Sequence, residues 1–110
     1  MPLSIAGKII PTDNEGYLAN LNDWNEEVAH ALAKSGNIQL SDQHWEIILL
    51  MRRFYMKYKI SPAMRVLSKT IKIELGQDKG QSIYLMKLFP GSPAKLASKI
   101  AGLPRPTNCI

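Results

Sequence analysis

The residue with the most reactive side chain is Cys109, the only cysteine among 110 residues and one position from the C-terminus. It ends the stretch Gly102-Leu103-Pro104-Arg105-Pro106-Thr107-Asn108-Cys109-Ile110, whose two prolines forbid regular structure. A packing thiol belongs inside a helix or strand, covered by its neighbours, whereas a thiol on a Pro-stiffened arm can be delivered to another molecule. Nucleophilic or sulfur-carrying chemistry runs through the thiolate, which needs access and a local positive field. Arg105 is the nearest basic residue, and the terminal carboxylate opposes ionisation, so part of the activation must come from the basic half of the chain or from a partner. Eight residues after Gly102 span about 26 Å when fully extended. On residue type alone, an incidental exposed cysteine stays open beside this reading.

No other catalytic arrangement competes. The sequence has no Gly-rich phosphate loop, no Cys-x-x-Cys, no HExxH and no plausible Ser-His-Asp set. His30 and His44 have no partner at metal-ligand spacing and read as non-catalytic. No cofactor is implied.

The length suits one domain with one core. The composition, 45% hydrophobic and 21% charged, is that of an ordinary globular protein. The longest apolar run, Ile47 to Met51, is far short of the ~20 residues that span a bilayer. The N-terminus lacks the basic and apolar regions of a signal peptide, and a lone cysteine makes no internal disulfide. Both features suggest a cytoplasmic protein. The net charge of +5 is unevenly spread: residues 1–50 hold two basic and seven acidic residues, and residues 51–110 twelve basic and two acidic. An anionic partner, nucleic acid or an acidic protein surface, fits that split; so does a solvated basic face.

The elements that must carry the arm follow from local pattern. Residues 3–10 read as a short hairpin turning at Gly7, and 11–16 as a loop from which Tyr17 and Leu18 pin the next segment to the core. A first helix is expected from an Asp23 N-cap, boxed by Glu26, to Gly36, with Trp24, Val28, Ala31 and Leu32 inward. A second runs from a Ser41 cap through Asp42 to about Tyr58, with Leu40 and Trp45 as a hydrophobic staple. It is the expected centre of the core. A third opens at Ser61-Pro62 and ends at Gly76, a fourth covers about Lys79 to Phe89, and a fifth runs from Pro93 to about Ala101. The fold class is mainly α, about five helices with a small N-terminal β-hairpin. The expected division is a domain over 1–102 and a flexible arm over 103–110. The second and third helices also have helix-turn-helix spacing, with Arg65, Lys69 and Lys72 on one face, but no base-reading set opens the third.

Several segments match a known family. Asp13 to Leu18 (DNEGYL), His44-Trp45-Glu46, Ser61 to Arg65, Tyr84 to Pro90 (YLMKLFP) and the terminal GLPRPTNCI together resemble the DsrC/TusE family of small sulfur carriers, over essentially the whole chain. The resemblance implies a helical domain with a mobile C-terminal arm and a persulfide carried on Cys109, with Gly102, Pro104, Arg105 and Pro106 as supporting arm residues. Members acting in dissimilatory sulfur metabolism carry a second cysteine eleven positions upstream of the first, where this chain has Ser98. A hydroxyl cannot close a disulfide or resolve a persulfide, which points to the TusE branch. That branch implies a TusBCD-like donor complex, an MnmA-like thiouridylase with tRNA contacted indirectly, and 2-thiolation of the wobble uridine. A DsrC-like carrier in sulfur oxidation or sulfite-reductase-associated metabolism is the alternative within the family, and a helix-turn-helix nucleic-acid regulator the alternative outside it.

Overall fold

A computed structural model describes residues 3–106. The chain opens with two antiparallel strands, β1 (Leu3–Ile5) and β2 (Lys8–Ile10), in register Leu3 with Ile10 and Ile5 with Lys8. The two-residue turn puts both Ala6 (φ 50°) and Gly7 (φ 80°) in the left-handed region. That is the mirror-image turn whose twist matches paired strands. Ile10 is buried, and β1 lies on the first helix, so the hairpin caps a helical body.

Five helices form that body: α1 (Glu26–Ser35), α2 (Asp42–Tyr58), α3 (Met64–Glu74), α4 (Ser82–Leu88) and α5 (Pro93–Ile100). α5 packs against α1, α2, α3 and α4, which makes it the hub of the helices. Its buried positions are mostly small, Ala94, Ala97 and Ser98, as are Ala29 and Ala33 on α1. Small side chains let helix backbones approach closely, and the larger Leu32, Ile48, Met51, Leu67, Ile71, Leu85 and Phe89 fill the remaining space. No helix among the described residues is long and apolar enough to cross a membrane.

α2 starts where its sequence signal lies. The Ser41 hydroxyl faces the His44 backbone N–H at 3.4 Å, and the Ser41 N–H donates to His44 Nδ1 at 3.1 Å, closing a capping box. Because Nδ1 accepts, the ring proton sits on Nε2, which donates to the Leu88 carbonyl at the end of α4 (2.8 Å). His44 is therefore a buried structural tie between two helix ends rather than a residue facing solvent. Its ring also stands edge-on to Phe89, 5.1 Å between centroids.

Three expected starts are displaced. α1 is capped by Asn25, whose side chain accepts from the Val28 N–H (2.9 Å), and not by Asp23. Asp23 instead ends a single 3₁₀ turn, Leu21–Asp23, and Trp24 is extended, because its indole is committed to the C-terminal segment. α3 begins at Met64 behind an Ala63 cap that makes no side-chain bond. Ser61 is buried and its hydroxyl donates to the Pro104 carbonyl, so it is unavailable as a cap. The expected fourth helix divides into a 3₁₀ turn, Asp78–Gly80, and α4. There Ser68 donates to the Gly80 carbonyl, and a Cβ at Gly80 would overlap the Lys72 side chain. Ile83, in the first turn of α4, is exposed.

The two Ser caps separate cleanly in a mutational test. Ser41→Ala should cost about 1 kcal/mol in urea unfolding. Ser92→Ala, at a helix start where no cap bond forms, should stay within about 0.5 kcal/mol of the parent.

Candidate functional site

The chemistry expected from the sequence runs through the arm, and the structure shows how its base is held. Cys109 lies outside the described residues, as do Thr107, Asn108 and Ile110. Residues 103–106 form no helix or strand, yet Leu103 is 3% exposed and belongs to the core, and Pro106 is buried. Packing thus carries the domain past Gly102, through Pro106, and the first four residues of the expected arm lie against it.

Successive backbone groups of this segment are captured by side chains from distant parts of the chain. The Trp24 indole N–H donates to the Ile100 carbonyl (2.9 Å), Arg52 Nη1 to the Ala101 carbonyl (2.6 Å), and the Ser61 hydroxyl to the Pro104 carbonyl. The Leu103 N–H returns to the Ser98 carbonyl (2.9 Å). α5 thereby ends with its orphan carbonyls satisfied. Gly102 makes the turn at φ 72°, and a Cβ there would overlap Cγ and Cδ1 of Trp24. The position needs glycine twice over, for its dihedral and for the approach of the indole. Arg52 stacks over the same indole, its Cζ 3.9 Å from the ring centroid. Burial draws the Arg52 guanidinium below its ordinary pKa, yet it stays cationic at any working pH.

Arg105, on the exposed side, forms an ion pair with Glu15 and lies over the Tyr17 ring, 5.9 Å from its centroid. Lys99 lies over the same ring at 5.4 Å, and the Tyr17 hydroxyl donates to the Lys95 carbonyl (3.2 Å). The loop that presents Glu15 and Tyr17 is folded by Asp13, whose carboxylate accepts from the N–H groups of Glu15 (2.9 Å) and Tyr17 (3.0 Å). Burial works to raise the Asp13 pKa. The Tyr17 and Glu15 N–H bonds, the Arg105 charge and the Gly16 N–H outweigh it and hold the carboxyl below the usual range.

The supporting residues expected from sequence therefore come together: Gly102, Pro104, Arg105 and Pro106 form one anchored strip. Their partners Glu15, Trp24, Arg52 and Ser61 were not legible as such. The available signals were a charged residue within the apolar pattern of α2 for Arg52, and an aromatic inside a turn-rich loop for Tyr17. Ser98 is fully buried on α5, its hydroxyl without a hydrogen-bond partner among the described residues. No group of His, Cys, Asp and Glu among the described residues could hold a metal ion. Arg65, Lys69 and Lys72, the other expected constellation, line a separate groove of about 370 Å³ with Ser68 and Ser82.

Comparison with known proteins bears on the family and the fold. The family described as DsrC like protein matches residues 4–110. Sulfurtransferase TusE of Buchnera aphidicola is 53% identical over 98 residues, covering 89% of this chain and 86% of that protein. The TusE homolog of Haemophilus influenzae is 49% identical, covering 98% and 99%. The NMR structure of Allochromatium vinosum DsrC superposes with a TM-score of 0.90 at 48% identity, covering both chains fully.

Two measurements check the anchor. Gly102→Ala should cost about 2 kcal/mol or more in urea unfolding, from the left-handed dihedral together with the Trp24 overlap. Asp13 has a folded pKa below its unfolded one, so its contribution is present above the usual carboxylate range. It is lost as pH falls through the lowered folded value. Hydrogen-exchange protection of the Tyr17 amide should drop in that acid window, and in Asp13→Asn it should not change across it.

Proposed function

Because this chain belongs to the DsrC-like family and is a sulfurtransferase by its relatives, we propose that Cys109 accepts sulfane sulfur as a persulfide and relays it toward 2-thiolation of the tRNA wobble uridine. The observation that carries this reading is the near full-length similarity to TusE proteins in a chain whose sole thiol is the penultimate residue. With serine at position 98, no second arm thiol is available to form a disulfide. That restricts the arm to single-thiol relay and favours the TusE-type role over a two-cysteine DsrC-type role.

The transfer needs no net redox change. The Cys109 thiolate attacks the outer sulfur of a donor persulfide, the donor S–S bond breaks, and the donor thiolate leaves while a Cys109 persulfide forms. An acceptor thiolate repeats the exchange on the outer sulfur of Cys109. A TusBCD-like complex as donor and an MnmA-like thiouridylase as acceptor fit this sequence of steps, with tRNA engaged through the acceptor in the cytoplasm. With Pro104 and Pro106 already held on the domain, less chain has to be ordered when the arm meets a partner's cleft.

Mass spectrometry after incubation with a persulfide donor tests the reading. The wild type should gain the mass of one sulfur atom, about 32 Da, removable by dithiothreitol, and Cys109→Ser should gain nothing. Equal labelling of Cys109→Ser would overturn it.

A further inference from the structure

The anchored strip shortens the reach of the thiol. Eight free residues after Gly102 would span about 26 Å, whereas Cys109 is only three residues beyond the buried Pro106, at most about 11 Å of chain. A protein that exchanges sulfur with Cys109 while the anchor holds must bring its own thiol close to this domain. It therefore needs a docking face beside the arm's base.

The base runs along the C-terminal half of α2, since Arg52 on that helix holds the Ala101 carbonyl and Ser61, just beyond it, holds the Pro104 carbonyl. The outward side of the same half-helix carries large apolar side chains in solvent. Leu49 is 47% and Met56 68% exposed, with Tyr58 and Ile73 of α3 exposed beside them. Leu49, Arg53 and Met56 stand at i, i+4 and i+7, one stripe of the helix. Two concavities of about 520 and 270 Å³ adjoin this stripe and share Arg53 and Lys57 as a common wall. Arg53 pairs with the exposed Glu74 at 3.3 Å, and Lys57 has no carboxylate partner among the described residues, so the face keeps a positive rim. Exposed apolar residues gathered into one rimmed patch mark an interaction site, and an unbranched Met adapts to an incoming surface.

We propose that this face of α2 is where the sulfur-donating protein docks, through a surface with an apolar centre and a carboxylate rim. The apolar centre would cover Leu49 and Met56, and the carboxylates would meet Lys57 and compete with Glu74 for Arg53. Docking there sets the partner next to the strip from which Cys109 extends. The inference rests on the carrier reading, and the experiment separates the two.

The probe is the purified TusBCD-like complex of the source organism, loaded with persulfide, with inorganic polysulfide as a small donor that needs no docking. Met56→Asp and the double variant Arg53→Glu/Lys57→Glu should each slow transfer from the complex to Cys109 at least tenfold. Their loading by polysulfide should match the wild type, which also shows that the thiol and the fold are intact. Lys69→Glu/Lys72→Glu, an equal charge reversal on α3, should stay within twofold. Wild-type transfer in both α2 variants would overturn the docking face, and so would an equal loss in the α3 variant. A wild-type dimer that Met56→Asp dissociates in sedimentation would assign the face to a second copy instead, and the proposal would fail. If neither donor loads Cys109, it is the carrier reading that fails.

Discussion

The contact on which the arrangement turns is that of Gly102 under the indole of Trp24. Helix α5 has to stop, reverse and hand the chain over to an irregular strip without leaving buried carbonyls bare. The turn needs a left-handed residue, and the indole needs the space a side chain would take; glycine satisfies both. Once the indole is there, its N–H is placed for Ile100, and its face is placed for Arg52, which in turn reaches Ala101. Remove the close approach and the donors lose their alignment together. Each bond alone contributes about 1 kcal/mol, so the strip depends on their joint presence and on Leu103 in the core.

Demands at the base of the arm explain why two helix starts fall elsewhere than their local signals. Asp23 followed by Glu26 is a sound capping pattern, but a helix from Asp23 would carry Trp24 in its first turn. The indole is required at Gly102 instead, so Trp24 stays extended and the next competent cap, Asn25, takes over. Ser61-Pro62 is likewise a sound start, and its hydroxyl is drawn to Pro104, 43 positions on in sequence. Tertiary demand overrides local preference at both places, and both serve the base of the arm. Where no such demand exists, as at Ser41 and in the Ala6-Gly7 turn, local pattern and structure agree.

The hairpin and the number of helices were thus readable from periodicity and turn residues, whereas the helix that the others pack around is α5 and not α2 as expected. The chemistry proposed for Cys109 was suggested by one cysteine behind two prolines and by the family resemblance of the segments around it. What could not be read was the set of side chains that holds Pro104 to Pro106, because Glu15, Trp24, Arg52 and Ser61 are scattered along the chain and each has an ordinary local explanation. A Glu in a turn, a Trp on a helix stripe, an Arg on a helix and a Ser before Pro carry no mark of their shared role. Only the packing of α5 against α1 and α2 brings them to one edge.

Anchoring and reach are opposed demands on a carrier arm. A fully free arm covers more distance but pays more conformational entropy when it is ordered in a cleft. Holding Leu103 through Pro106 on the domain lowers that cost and leaves Cys109 three residues from the last held position. The exposed half of the anchor, the Arg105–Glu15 pair, is a surface ion pair, which contributes little on its own and is weakened by salt. The buried half, Leu103 with the captured carbonyls of Ile100 and Ala101, is far harder to displace. Any extension of the arm would therefore release Pro106, Arg105 and Pro104 and stop at Leu103. The useful range of the carrier is then set between these two limits, by how far a partner's surface can pull the outer residues off Glu15 and Ser61 without opening the core.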